Sequence, residues 1–303
     1  MPITVAPRVN SMLAWAHEYL RLHAVPNPEH DAAAILAYLL GCERIELHTE
    51  RHTCNDYVML EYYRLIALRA TRYPLQYIIG SAGFMGFEFT VRPGVFIPRP
   101  ETELLVETVL ELVNSPQSTV HRKDHVRGPW TVDRGLRILD LCTGCGNIAI
   151  SLTKLQKTVK IIASDSSDIA VEVAKENAAR HGCGSIAVIK SKLFAALYVK
   201  EFDIIVSNPP YVPSMDLANV MPELAFEPRE ALDGGEDGLR YYRRIFNEAP
   251  SFLANDGHLI VEIGDNQREA LHHMIDHRQY RLCNIVKDYN GSDRVMVIRR
   301  HDG

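Results

Sequence analysis

The chain has 303 residues, 47% of them hydrophobic, which is enough for two domains with their own cores. Its formal net charge of −5 argues against a protein that holds nucleic acid mainly through basic side chains. No apolar run approaches the ~20 residues of a transmembrane helix, and the start lacks the basic and apolar pattern of a secretion signal. We therefore expect a cytoplasmic protein without a membrane or direct nucleic-acid partner.

Residues 1–79 have the pattern of a small helical domain. Asn27 followed by Pro28 predicts a capped helix start, and Gly41 predicts the end of that helix. Other helical segments lie around Leu20 and from Tyr57 through Leu68. We expect a small helical bundle whose apolar side chains are mostly core.

Residues 80–100 change to short strands punctuated by Gly and Pro, which predicts a β-hairpin linker. An amphipathic helix is expected to start at Thr102 and Glu103. The polar stretch 114–135 then predicts a surface loop.

The rest of the chain alternates apolar strands with helices. Strands are expected near 137–141, 159–164, 186–190, 202–207 and 257–263, and two more near 279–287 and 294–300. Such alternation predicts an α/β fold with a doubly wound sheet.

A glycine turn joins the first of these strands to a helix. The turn reads Cys142-Thr143-Gly144-Cys145-Gly146, and Asp165 follows the next strand. Glycines allow a ligand close to the backbone, a helix N-terminus offers free N–H groups, and an acid one strand later suits a ribose diol. The C-x-x-C spacing also suggests a redox or zinc site. The better interpretation is that Cys142 and Cys145 are small side chains tolerated in a cofactor-binding loop.

A second feature follows the strand at 202–207. Asn208-Pro209-Pro210-Tyr211 places an amide side chain, a proline carbonyl and an aromatic ring where open α/β sheets bind ligands. Two neighbouring acceptor oxygens suit an NH2 group, and the tyrosine can stack on a planar amide or base. A rigid exit from a strand is the simpler alternative.

The turn also matches the G-x-G-x-x-A pattern of nicotinamide dinucleotide sites. That reading leaves residues 208–211 unexplained. An S-adenosylmethionine (AdoMet) methyltransferase uses both features, so methyl transfer is favoured over dinucleotide binding.

Three further blocks resemble a known family. Residues 96–103 (FIPRPETE) are similar to the signature of the HemK-type glutamine N5-methyltransferases that modify peptide-chain release factors. Residues 226–239 and 291–295 resemble two later blocks of that family, and the resemblance runs from about Pro74 to Arg300. The Asn-Pro-Pro-Tyr turn alone is shared with DNA adenine N6-methyltransferases, and a sister family acts on a ribosomal protein. These two activities remain alternatives, as does a non-catalytic or dinucleotide-binding Rossmann-like protein.

The resemblance implies a seven-stranded AdoMet-dependent domain over residues 101–303 whose last strand is antiparallel. It implies methylation of the glutamine in the Gly-Gly-Gln loop of release factors, with Asn208, Pro209 and Tyr211 as catalytic residues. It places Phe84 beside the acceptor pocket, for which an ordinary core position in the hairpin is the simpler alternative, and it places Leu193 near the adenine. It also gives the helical domain of residues 1–79 a part in selecting the protein substrate. The chain departs from the family at Cys142, where Gly is usual, and at Lys192 and Leu193, where an acid and an aromatic residue are usual.

Overall fold

The computed structural model describes residues 9–49, 54–114 and 135–301. The chain divides into two compact units: Met1–Ser81 with Met221–Phe226, and Ala82–Val220 with Glu227–Gly303. Residues 115–134 of the predicted polar loop lie outside the described residues. No helix in the described ranges is both long and apolar enough to cross a membrane.

The first unit is helical. Its helices are α1 (Val9–Leu22), α2 (Pro28–Leu40), α3 (Glu46–Thr49), α4 (Asp56–Ala70) and α5 (Leu75–Ile79). Their apolar faces form one core, which includes the fully buried Met12, Leu20, Ile35, Tyr62 and Ile66.

The two ends of α2 test the helix start and stop that the sequence predicts. Gly41 ends the helix in the left-handed conformation at φ +63°, as its position predicts. Asn27, in contrast, makes no side-chain capping hydrogen bond, so this part of the prediction is wrong. Its backbone (φ −124°, ψ 64°) lies outside the usual capping conformation, and Pro28 alone favours the start of the helix.

A buried charge cluster holds Met221–Phe226 in the first unit. Arg69 binds Asp31 at 2.8 Å and Glu223 at 2.9 Å, and Arg72 binds Glu223 at 2.6 Å. The ring of Phe226 also packs edge-on against Tyr73 at 5.2 Å. Because Arg69 is almost fully buried, it depends on both carboxylates for its stability there.

The predicted hairpin consists of β1 (Ser81–Phe84) and β2 (Phe87–Thr90), and the second unit begins at Ala82 within it. The helices of the second unit are α6 (Glu103–Asn114), α7 (Asn147–Leu155), α8 (Asp168–Arg180), α9 (Arg240–Glu248) and α10 (Arg268–Met274). Its strands are β3 (Leu136–Leu141), β4 (Val159–Asp165), β5 (Ala187–Lys190), β6 (Phe202–Ser207), β7 (Leu253–Glu262), β8 (Tyr280–Lys287) and β9 (Asp293–Arg300).

Among the described residues, seven strands form a sheet of order β5-β4-β3-β6-β7-β9-β8. The pairs from β5 to β7 are parallel, and β9 runs antiparallel to both β7 and β8. This confirms the predicted seven-stranded fold with an antiparallel last strand. Because β4, β3, β6 and β7 end at the same edge, the segments that follow them meet there.

Candidate active site

The glycine turn after β3 has the backbone conformation that its sequence suggests. Cys142, Gly144 and Gly146 have φ values of +60°, +57° and +85°. A Cβ on Gly146 would lie 3.1 Å from Ile150 Cδ1 and 3.3 Å from Ala174 Cβ, so glycine is needed there for close packing of α7 and α8. A Cβ on Gly144 would meet nothing within 4 Å, which leaves room for a ligand beside the turn.

A buried acid, Asp140, lies beneath this turn. Its Oδ2 accepts hydrogen bonds from Thr143 Oγ1 at 2.6 Å and from the Ala149 N–H at 3.2 Å. Its Oδ1 is buried with no hydrogen-bond partner among the described residues. Burial raises the pKa of Asp140 to about 7, and repulsion from Asp165 adds to the shift.

Asp165 lies beside the turn, at the end of β4. Its Oδ2 accepts from the Gly144 N–H and its Oδ1 from the Ser167 N–H, each at 3.0 Å. Burial raises the pKa of Asp165, while these backbone donors oppose the change. The carboxylate therefore braces the turn, and the remaining lone pairs of its oxygens stay available for a ribose diol.

The two cysteines of the turn are not disulfide-bonded. Burial raises the pKa of Cys145 to about 12 and moves that of Cys142 still higher. Both thiols are therefore protonated at neutral pH, which is the opposite of a reactive thiolate pair. Within the described ranges, no group of three His, Cys, Asp or Glu side chains has the geometry to hold a metal ion.

The loop after β5 carries the predicted adenine neighbour. Leu193 is buried and has a positive φ of +55°, and its carbonyl accepts from Ser191 Oγ at 2.5 Å. Phe194 stacks on Phe252 at 4.7 Å and belongs to the sheet core, while Lys192 is exposed. The Ser191 N–H binds the Asp165 carbonyl at 2.8 Å, so this loop and the ribose candidate are held together.

Asn208 follows β6 and is half-buried. Its Nδ2 donates to Thr102 Oγ1 at 3.0 Å, whereas neither its Oδ1 nor the Pro209 carbonyl accepts a hydrogen bond from the described residues. Pro209 and Pro210 are buried. Since Leu141 and Ser207 are paired on neighbouring strands, Asn208 and the glycine turn leave the sheet side by side.

Tyr211 is fixed at both its hydroxyl and its backbone. Its hydroxyl donates to Glu262 Oε1 at 3.1 Å, and its carbonyl accepts from Gln267 Nε2 at 2.9 Å. A Cβ on Gly238 would lie 2.4 Å from the Tyr211 carbonyl oxygen, and one on Gly234 would lie 2.8 Å from its Cα. The glycines of residues 226–239 therefore allow this block to close around the tyrosine.

Residues 96–103 and 226–239 are joined through Glu227. Its buried carboxylate accepts from the Ile97 N–H at 3.0 Å and pairs with Arg99. The tail block binds the same edge, because Arg294 donates to the Ile263 carbonyl at 3.1 Å and pairs with Asp288 at 2.9 Å. All three family blocks thus support the ends of the central strands.

Phe84, a predicted substrate-binding residue, packs inside the hairpin. It is 2% exposed and packs edge-on against Phe89 of the hairpin at 6.1 Å. These contacts are those of an ordinary hairpin core residue, which is the simpler alternative for Phe84. Its place beside the acceptor pocket stays a prediction.

Sequence reasoning missed Thr102, Glu262 and Gln267 as residues of the site. Thr102 was seen only as a helix start, and Gln267 lies in an ordinary polar turn. Glu262 carried a usable signal, because it is an acid at the end of an apolar strand, Leu259-Ile260-Val261. An acid there faces the ligand-binding edge of the sheet.

The residues around the turn fit AdoMet. AdoMet carries a positive sulfonium, an ammonium group and a ribose diol. The buried Asp140, whose Oδ1 has no hydrogen-bond partner among the described residues, and the half-buried Asp165 supply carboxyl groups beside the turn. The Asp140 carboxylate beneath the turn would repel the pyrophosphate of a dinucleotide, whereas an acid in the position of Asp165 suits the ribose of either cofactor. The unobstructed space at Gly144 lies beside them.

Comparison with known proteins finds two matching protein families and a similar fold. The PrmC N-terminal domain family matches residues 11–80, and the methyltransferase small domain family matches residues 131–237. A methyltransferase structure from Pyrococcus furiosus has the same fold, with a TM-score of 0.50 and 17% identity over 73% of this chain and 92% of that one.

Curated relatives cover nearly the whole chain. The release factor glutamine methyltransferase of Geobacter sulfurreducens is 36% identical over 95% of both chains. That of Thermodesulfovibrio yellowstonii is 36% identical over 89% of this chain and 92% of its own. That of Agrobacterium fabrum is 35% identical over 96% and 97%. This chain belongs to the family of release factor glutamine methyltransferases, which are AdoMet-dependent enzymes.

Proposed function

We propose that this protein transfers a methyl group from AdoMet to the side-chain amide nitrogen of the glutamine in the Gly-Gly-Gln loop of a peptide-chain release factor. The observation that carries the proposal is the state of Asn208. Its NH2 group is bonded to Thr102, and its Oδ1 remains available beside the Pro209 carbonyl. Two adjacent acceptors match the two N–H groups of a primary amide.

The chemistry needs positioning more than acid–base power. An amide nitrogen is a weak nucleophile because its lone pair is delocalised into the carbonyl. Acceptance of both N–H hydrogens by Asn208 and Pro209 favours positive charge on the nitrogen and directs its lone pair. When bound, AdoMet supplies the electrophilic methyl group on a sulfonium leaving group. The methylated nitrogen is strongly acidic and loses one proton to solvent, so we assign no general base.

Cofactor binding is assigned to the turn Cys142-Thr143-Gly144-Cys145-Gly146, to Asp165 and to Leu193, with Asn208 at its acceptor end. Asp140 orients the turn and adds negative charge. The Tyr211 ring, fixed by Glu262, provides a flat face for the planar amide. Pro210 keeps the backbone extended between Pro209 and Tyr211.

We assign release-factor recognition to the helical region of residues 1–79, with 80–100 as its linker to the catalytic domain 101–303. The exposed apolar side chains of the first unit include Leu22, Tyr57 and Leu60. The formal net charge of −5 favours a protein partner over nucleic acid. Because release factors act in translation, the enzyme is placed in the cytoplasm.

The test is a competition for labelled methyl groups. The protein is incubated with methyl-labelled AdoMet, a release factor and duplex DNA at moderate salt. We expect label in the release factor and none in the DNA, and loss of label when the Gly-Gly-Gln glutamine is replaced. Label in DNA with none in the release factor would instead assign the protein to the adenine N6-methyltransferases.

A further inference from the structure

Asn177 is a fully buried amide near the C-terminal end of α8 that the proposed mechanism leaves unused. Its Oδ1 accepts one hydrogen bond from the protein, and its Nδ2 donates two. Both amide hydrogens and the oxygen therefore have partners. Half a turn about the last torsion would set the oxygen against two carbonyls and the NH2 group against an N–H, so the amide is held in one orientation.

On one side Asn177 binds the hairpin. Its Oδ1 accepts from the Thr90 N–H at 2.8 Å, and its Nδ2 donates to the Thr90 carbonyl at 3.0 Å. Thr90 is the last residue of β2. Paired residues of antiparallel strands exchange the same two bonds, so the amide of Asn177 acts as a strand partner at the end of β2.

On the other side the same NH2 group binds the glycine turn. Asn177 Nδ2 donates to the Cys145 carbonyl at 2.9 Å. The Gly144 N–H, at the other end of this dipeptide, is held by Asp165 at 3.0 Å. The backbone between these two bonds is the part of the turn where a Cβ on Gly144 would meet nothing within 4 Å. Asn177 and Asp165 together therefore fix the segment that lines the space for a ligand.

The neighbouring contact between α8 and the hairpin lies at the surface. Arg180, one helical turn after Asn177, donates to Thr90 Oγ1 and to Glu88 Oε1, each at 3.2 Å. Its side chain is half exposed, and such pairs contribute little to stability. Among the described residues, the hydrogen bonds of Arg180 reach the hairpin and not the turn. Asn177 bonds both.

We propose that Asn177 is a positioning residue that couples the hairpin to the cofactor-binding turn. Because one NH2 group bonds the carbonyls of both Thr90 and Cys145, movement of either carbonyl displaces the amide that holds the other. The ligand-binding conformation of the turn is therefore favoured while β2 is in place, and bound AdoMet conversely holds β2. The inference rests on the assignment of the turn to AdoMet and is independent of the identity of the methyl acceptor.

The first test is calorimetric titration of Asn177→Ala with AdoMet. Loss of the bond to Cys145 frees the turn, and we expect ~10-fold weaker binding at full stoichiometry, the effect of one hydrogen bond. Arg180→Ala is the matched control, because it removes contacts between the same helix and the same hairpin, and its affinity should stay within about twofold of wild type. Unchanged affinity in Asn177→Ala, or an equal loss in Arg180→Ala, would overturn the proposal.

The stoichiometry separates positioning from a general loss of structure. A partly misfolded variant binds fewer AdoMet molecules per chain, with the affinity of the remaining sites unchanged, and this result for Asn177→Ala would also overturn the proposal. Asp165→Ala distinguishes the inference from the cofactor assignment on which it rests. Weaker binding in Asp165→Ala alone would refute only the role of Asn177, whereas wild-type affinity in both variants would remove the turn from the AdoMet site.

The second test needs no variant, so it applies even if Asn177→Ala fails to fold. NMR measures hydrogen exchange of the Thr90 N–H in the wild-type protein with and without AdoMet. Because coupling between two sites is reciprocal, AdoMet should slow this exchange at least ~5-fold. The matched control is the Val58 N–H of the helical unit, which also donates to an asparagine side chain, that of Asn55 at 2.8 Å, and should not respond. An unchanged rate at Thr90, or equal slowing at Val58, would overturn the coupling.

Discussion

Asp140→Asn is expected to make the protein more stable at alkaline pH while weakening cofactor binding. The buried Asp140 carboxyl has a pKa of about 7 in the folded chain, against an ordinary value of 3.8. A carboxyl whose pKa is raised by folding stabilises the folded state fully below its unfolded pKa, and this contribution is lost as the pH rises toward its folded pKa. At pH 8 the full penalty is about three pKa units of 1.36 kcal/mol each, or ~4 kcal/mol.

The asparagine variant avoids this penalty but introduces a difficulty of its own. Its amide oxygen can accept from Thr143 and Ala149 as Oδ2 does, but its NH2 group would take the place of the unpartnered Oδ1. A buried donor without a partner costs ~1–3 kcal/mol. The net gain at pH 8 is therefore ~1–3 kcal/mol.

The unpartnered NH2 group costs the same free energy at every pH. It therefore does not affect how the stability gain of the variant changes with pH. Between pH 5 and the folded pKa of about 7, the advantage of the variant should grow by ~2–3 kcal/mol. Urea unfolding of the cofactor-free protein at pH 5 and pH 8, followed by circular dichroism, measures this change. Calorimetry should show at least ~10-fold weaker AdoMet binding, because a carboxylate facing a cation is lost.

The matched control is Asp216→Asn, since Asp216 is exposed. Its stability difference from wild type should not change between the two pH values. An equal stability difference for Asp140→Asn at pH 5 and pH 8 would refute the buried-carboxylate reasoning.

Three further predictions concern cofactor binding and stability. Asp165→Ala should weaken AdoMet binding by ~1.5–3 kcal/mol in calorimetry, the scale of a charge-assisted hydrogen bond, and unchanged affinity in a folded variant would remove Asp165 from the ribose site. Cys142→Gly should raise the free energy of unfolding by ~1 kcal/mol, because Cys142 has a φ of +60°, and a loss of stability would show that the thiol packing matters more. Glu223→Ala should destabilise the first unit by ~1–3 kcal/mol in urea unfolding, because the buried Arg69 loses one of its two carboxylate partners, whereas Glu18→Ala, at an exposed pair, should change stability much less.

The sequence predicted the strands of the catalytic domain to within one residue in most cases. Parallel strands covered on both faces read as continuous apolar runs, as β3 and β6 do. The exception is β7, expected from residue 257 but starting at Leu253. Asn255-Asp256-Gly257 looks like a turn, and Asp256 has a φ of +64°, yet the strand continues through this irregularity because Phe202 pairs with Leu253.

The two proposed ligand-binding segments could be located from the sequence, because each is a local pattern that directly follows a strand. Their supporting contacts were not. Thr102 reaches Asn208 across 106 residues of sequence, and Glu262 reaches Tyr211 across 51. Such contacts follow from strand order, which becomes known only when the sheet is assembled.

The helical unit illustrates the same limit. Its helices follow from apolar spacing, but nothing local in Glu223 reveals that it binds Arg69 and Arg72, more than 150 residues earlier in the chain. Helix propensity and apolar periodicity predict individual helices and strands. Buried ion pairs depend instead on how distant segments of the chain pack together.

The central claim is that Asn208 holds a release-factor glutamine for methylation. Its most direct test is peptide mapping by mass spectrometry of a release factor after incubation with AdoMet and either the wild-type protein or Asn208→Ala. We predict one added methyl group on the glutamine of the Gly-Gly-Gln loop with wild type, and at least ~100-fold slower methylation with the variant, which should still bind AdoMet. Methylation at another residue, or a normal rate with Asn208→Ala, would contradict the account.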